Sequence, residues 1–158
     1  MALQFRRIVT GHDETGRAVV KIDEIAQNLV SSRPGATAGV VWTTQGFPVD
    51  NTGNEDQGRR QTGTTLDDGT VFRVLELAPG ASPRNHRTDS IDYAVVMAGE
   101  IDMEIDDATV HLKAGDVLVQ RGTIHNWVNR GTVPCVIAFV LIAAKPVEVG
   151  GRVLHAQG

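Results

Sequence analysis

Apolar positions along this chain recur at two-residue spacing far more often than at helical spacing. In Ile101-Asp102-Met103-Glu104-Ile105 the apolar side chains fall on one face of a strand and the acidic ones on the other, the pattern of a half-exposed antiparallel strand. Strands are predicted at 5–10, 17–22, 39–44, 71–77, 91–97, 101–105, 109–112, 117–120, 124–128 and 133–143. Turn residues separate most of them at intervals suited to a sandwich or barrel rather than to βαβ units. The first two flank Asp13-Glu14-Thr15-Gly16 and are predicted to pair as a hairpin. Helical spacing occurs once, at Ile22, Ile25, Ala26, Leu29 and Val30, and predicts a single helical turn or a strand end there.

Two segments break the alternation informatively. From Val133 to Ala144 both faces are apolar, and Ile91, Tyr93, Val95 and Met97 give the same hint on a second strand. A barrel strand that is dry on its outer side needs a cover, either the N-terminal strands or a second subunit, so a homodimer is predicted. Residues 45–69 are polar with little apolar content and predict a long loop, either a surface excursion or a lid over a pocket mouth.

Composition narrows the class. A length of 158 residues suits one domain, and 17 glycines suit many strands joined by turns. The net charge of −4, with Arg and Lys scattered, argues against a nucleic-acid partner. Cys135 is the only cysteine, so no internal disulfide forms; its apolar setting predicts a buried thiol acting as a small hydrophobe. No apolar run approaches the ~18 residues of a membrane-spanning helix. The start, Met1-Ala2-Leu3-Gln4-Phe5-Arg6-Arg7, is too polar for a signal peptide, and a cytoplasmic protein without membrane contact is expected.

Candidate chemistry concentrates in 80–129. Strand alternation puts His86 and Thr88 on one face, Asp92 with the small Ala94 and Ala98 on one face of the next strand, and His125, Trp127 and Asn129 on one face of a later strand. If these faces converge, His86, Asp92 and His125 form a two-imidazole, one-carboxylate set able to bind Fe, Mn, Ni or Zn with positions left open for substrate. Each also has a structural reading: a hydrogen-bonded core histidine, or an aspartate holding Arg84 or a turn amide. Trp127 is either core filler or a flat wall for an apolar substrate. Arg73, Arg84 or Arg121 would clamp a carboxylate if it points inward.

The same stretch resembles the cupin superfamily of small β-barrels. Gly80, His86, Thr88, Asp92 and Gly99 fall on its first motif, G-x5-H-x-H-x3,4-E-x6-G. Gly115, Gln120, Gly122, His125 and Asn129 fall on the second, one residue short of the usual gap and with Gln120 in place of a proline. The resemblance implies an all-β fold, a cupin-type antiparallel jelly-roll barrel, here with an N-terminal strand extension. It divides the chain into N-terminal strands and polar loop (1–70), barrel (71–144) and C-terminal tail (145–158). It implies a divalent transition metal on His86, Asp92 and His125, with Asp92 where the family usually has Glu. Thr88 replaces the family's second histidine and is assigned, with Arg84 and Trp127, to substrate. The function implied is a metal-dependent enzyme acting on a small carboxylate, aromatic or enolic molecule by decarboxylase, dioxygenase, isomerase or lyase chemistry. The alternative is a non-catalytic module that binds a small ligand.

Overall fold

The computed structural model describes residues 2–158. Thirteen strands follow in chain order: β1 (Arg6–His12), β2 (Ala18–Ile25), β3 (Leu29–Arg33), β4 (Ala36–Gln45), β5 (Gly69–Leu77), β6 (Ser90–Ala98), β7 (Glu100–Ile105), β8 (Ala108–Lys113), β9 (Val117–Arg121), β10 (Asn126–Val128), β11 (Cys135–Ala143), β12 (Val147–Val149) and β13 (Arg152–Leu154). The helical content of the described residues is one short 3-10 turn, Gln57–Arg59. Among these residues no helix is long and apolar enough to cross a membrane.

Six strands form the larger sheet in the order β3-β4-β5-β11-β6-β9, and three form the smaller, β10-β7-β8. All the pairings are antiparallel. The fold is an antiparallel jelly-roll barrel. Its core lies between the sheets, where Val96, Ile137, Phe139 and Leu141 of the larger sheet meet Ile101, Met103 and Leu112 of the smaller. Cys135 sits in this core with its thiol free. Burial pushes the thiol pKa up to about 11, so it stays protonated and packs as a small apolar group.

The turns between these strands use glycine where the backbone demands it. At Gly99, between β6 and β7, φ is 73° and an added Cβ would lie 2.5 Å from the Pro134 carbonyl oxygen. Sterics therefore exclude any side chain there twice over.

The N-terminal segment is more integrated than a division at residue 70 implies. β1 and β2 pair as the predicted hairpin. β4, however, runs alongside β5 from Ala36↔Leu77 to Gln45↔Gly69, so residues 29–45 belong to the barrel sheet itself. The helical spacing over 22–30 does not produce a helix. β-branched residues carry β2 through to Ile25, and Asn28 then breaks the strand by donating its side-chain amide to the carbonyls of Val40 (2.8 Å) and Gly58 (2.7 Å). The apolar residues at that spacing are split between two strands.

Arg7 locks the hairpin to the long 45–69 loop. Its buried guanidinium donates to both carboxylate oxygens of Asp56 (2.7 and 2.6 Å) and to Glu24 (2.6 Å). Thr43 adds a hydrogen bond to the Gln57 carbonyl (2.8 Å). The loop is thus anchored at 56–58. The tail, which carried no predicted structure, forms the β12–β13 hairpin, and Gln157 then pairs with Arg87.

Two further features match the alternation of the sequence. The outer side of β11 (Val136, Ala138, Val140, Ile142) is partly exposed. On the neighbouring strands Tyr93, Val95 and Met97 of β6 and Val117 and Val119 of β9 are all exposed, making one apolar face.

Candidate functional site

His86 and His125 reach the site through the backbone. The two residues form an antiparallel bridge in which each amide donates to the other's carbonyl at 2.9 Å. Directly opposed residues of such a pair project their side chains to the same side. The rings consequently stack at a tilt, centroids 4.2 Å apart. Nδ1 of His86 lies 3.0 Å from the Arg84 carbonyl, and Nδ1 of His125 lies 3.0 Å from the Thr123 carbonyl. A carbonyl accepts only, so Nδ1 carries the proton in both rings and Nε2 keeps its lone pair. Burial lowers both pKa values, that of His86 to about 4, with the neighbouring arginines adding to the effect. Both imidazoles are neutral at pH 7.

They line a cavity of about 300 Å³ inside the barrel. Trp127 (β10), Phe139 and Leu141 (β11) supply an apolar wall, with the Trp127 ring edge-on to His125 (6.0 Å) and to Phe139 (5.6 Å). Arg33, Arg73, Arg84 and Asp92 supply the charge. Thr62, Gly63 and Thr64 of the long loop close one side. A groove bounded by Glu55, Asp56, Arg59 and Arg60 has a larger volume, about 520 Å³, but it lies on the surface, and Asp56 and Arg59 in its wall are ion-paired to each other.

Of the residues singled out by sequence, His86, His125, Trp127, Arg84 and Asp92 all border this one cavity. Thr88 does not. It is buried beside Ser90, whose Oγ lies 2.9 Å from Thr88 Oγ1 and 2.6 Å from Asp92 Oδ1. Thr88 therefore supports Asp92 through Ser90 and is not placed to touch a substrate. Asp92 is itself only 4% exposed, and burial pushes its carboxyl above the usual range, against the opposing pull of Ser90 and Arg73. Arg121 is exposed on the edge strand and takes no part. Asn129 is structural: its amide donates to the carbonyls of Leu77 (2.8 Å) and Val133 (2.9 Å).

A divalent metal is the cofactor that cupins often hold, and the two imidazoles suit one: neutral donors, each oriented by a backbone carbonyl on the far nitrogen. The third donor is not in place. The Asp92 carboxylate is engaged by Ser90, and among the described residues no three His, Cys, Asp or Glu side chains come close enough together to share an ion. The residues fit a two-nitrogen seat rather than the His86–Asp92–His125 set expected from alternation. The shorter arm of Asp and the loss of a histidine at Thr88 account for the difference.

Ser90, Arg33 and Phe139 were not among the residues singled out. Phe139 had a signal, since it lies on one face of the strand predicted at 133–143. Arg33 had none, because β3 itself was not predicted.

Comparison with known proteins gives the same picture. Residues 73–142 match the family model of the cupin domain. Phomopsin biosynthesis cluster protein C′ of Diaporthe leptostromiformis is 37% identical over 94% of this chain and 83% of its own length. The cupin-domain-containing oxidoreductase fogC of Aspergillus ruber is 35% identical over 92% of this chain and 76% of its own. Among solved structures, the polyketide cyclase RemF of Streptomyces resistomycificus superposes with a TM-score of 0.50 over 73% of this chain and 72% of that one, at 16% identity, a likeness of fold. With barrel, motif spacing and relatives matched over most of their length in agreement, this chain belongs to the cupin family.

Proposed function

We propose that this chain is a cupin enzyme that moves a proton on a small organic molecule held in the barrel, with His86 and His125 facing the reacting atoms. The observation that carries this is the imidazole pair. Two neutral rings 4.2 Å apart, each with its Nδ1 proton engaged by a carbonyl, present two free Nε2 bases to one cavity. Neutral at pH 7, each offers Nε2 as a base, and the protonated ring, which burial disfavours, readily returns the proton to a neighbouring atom. Trp127 and Phe139 would orient the apolar body of the substrate and keep water from the site. The relatives' names place comparable chains in biosynthesis clusters and among oxidoreductases, which supports a small organic substrate. A divalent ion, where bound, would be held by His86 and His125 and would polarise a substrate oxygen.

Deuterium exchange tests the reading. Small aromatic and β-keto acids are incubated with the protein in D2O, and loss of C–H signals is followed by proton NMR. Exchange is expected with the wild type and is expected to vanish in His86→Gln and in His125→Gln. Binding of panel members without exchange overturns the proposal and leaves a non-catalytic ligand-binding barrel. The missing third donor is the observation that favours that second reading. Elemental analysis of protein purified without chelators, repeated on both variants, shows whether an ion travels with the pair.

A further inference from the structure

Arg73 interrupts the inward apolar face of β5, where its neighbours at two-residue spacing are Val71, Leu75 and Leu77. A guanidinium placed there enters the barrel. Its Nε is buried and has no hydrogen-bond partner. None of the salt bridges among the described residues includes it, and the charged group it faces with opposite sign is Asp92. Arg33 and Arg84 border the same cavity. Arg33 spends one donor on the Ser82 carbonyl (2.9 Å), and Arg84 reaches Thr64 Oγ1 (3.3 Å) and the Gly158 main-chain oxygen (3.2 Å), so neither pairs with an acidic side chain. The cavity wall thus carries three guanidinium groups against one carboxylate, while both imidazoles are neutral.

Leaving a buried donor unmade and a buried cation unpaired is costly, and side chains in that state are matched by something in nearly every folded protein. Among the described residues Asp92 opposes the Arg73 charge without an ion pair, and nothing accepts from its Nε. We infer that the ligand of this cavity carries an anionic oxygen pair, a carboxylate, which Arg73 receives from the floor of the site with Arg33 and Arg84 adding to the field. A planar guanidinium and a carboxylate pair two donors with two acceptors, which fixes orientation as well as charge. The apolar wall of Trp127, Phe139 and Leu141 then takes the rest of the molecule. The lowering of the Arg73 pKa to about 10, by burial and by the other two arginines, agrees with a cation awaiting its counter-ion. At pH 7 it is still charged.

This deepens the small-molecule reading above and rests on it only in taking the cavity as a ligand site. Benzoate and its neutral isostere benzamide are the probes. Both are titrated into the full chain at constant ionic strength, by calorimetry and by thermal shift. Benzoate is expected to bind the wild type at least tenfold more tightly than benzamide. Arg73→Met is expected to lose at least tenfold in benzoate affinity and to bind the two probes about equally. The free Arg73→Met protein is expected to stay folded and to melt close to the wild type, because Asp92 loses an opposing charge but no hydrogen bond. Arg73→Lys, which keeps the charge and loses the planar fork, is expected to retain part of the preference. Equal binding of the two probes, no benzoate binding up to millimolar concentration, or a preference that survives Arg73→Met would each overturn the inference. The benzoate–benzamide contrast on the wild type needs no variant to fold. Loss of that contrast would leave the deuterium-exchange result standing, and the reverse also holds.

Discussion

Replacing Arg7 by methionine should be among the most damaging changes outside the core. Its side chain is 1% exposed and joins strands 6–12 and 18–25 to the loop at 56 by three short charge-assisted bonds of 2.6–2.7 Å. Methionine keeps the stem and abandons Asp56 and Glu24. Removing one partner of a buried ion pair costs about 3–5 kcal/mol. The acids are 21% and 30% exposed and can rehydrate in part, which favours the lower end, about 3 kcal/mol. With an unfolding entropy of ~2.1 cal/mol/K per residue, a chain of 158 residues has about 0.3 kcal/mol/K in total, so Tm should fall by roughly 9 °C. Near-UV circular dichroism on heating and urea titration measure the loss. The carboxyl of Asp56 is held below its usual range chiefly by Arg7. Its contribution is therefore fully present above the unfolded carboxylate value and disappears only as pH falls through the lower folded value. The wild-type advantage over Arg7→Met should accordingly be flat from pH 8 to pH 5, and shrink below about 4. Adding Asp56→Leu to Arg7→Met removes the orphaned charge and should recover part of the loss. A single variant that loses less than about 1 kcal/mol, or a coupling between the two sites near zero, would refute the strut.

Other expectations follow from the same structure. Trp127→Ala empties the space between His125 and Phe139 and should cost about 3–5 kcal/mol in urea unfolding; a loss under ~1.5 kcal/mol would show that the wall collapses freely. Stability should fall on acidification below about pH 6.5, because the unfolded chain then protonates His86 while the folded protein resists until about 4. His125 shifts in the same direction, and His86→Gln should flatten the profile between those two values; an unchanged profile would contradict a buried neutral ring. The apolar face of Tyr93, Val95, Val117 and Val119 is expected to be covered by a second copy. Light scattering should then report a dimer in the wild type and a monomer in Tyr93→Glu/Val119→Glu, while a wild-type monomer at micromolar concentration would remove that expectation.

Strand alternation made most of the barrel legible, because the strands predicted at 91–97, 101–105 and 133–143 bury one face and the period of two is the direct record of that. β3 escaped notice: Val30, Ser31 and Ser32 are exposed, so no face of the strand carries an apolar record. The tail hairpin was invisible for the same reason, being three residues a side and mostly exposed. At the site, the shared faces of His86, His125 and Trp127 could be read from position parity. The diversion of Asp92 could not, since it depends on Ser90 lying between two inward residues and holding Asp92 Oδ1 at 2.6 Å. Arg73 was legible as an oddity, a charge in an apolar register, but only the assembled barrel shows that its Nε has no partner.

The pairing of β4 with β5 bears on how this barrel can be borrowed. A chain trimmed to the recognised stretch 73–142 would bare the hydrogen-bonding rim of its outermost strand along its whole length and would forfeit the wall that Arg33 and Val40 provide. Such a fragment should be sticky and leaky rather than a miniature of the parent. Grafting this cavity into another scaffold therefore means moving residues 29–45 with it.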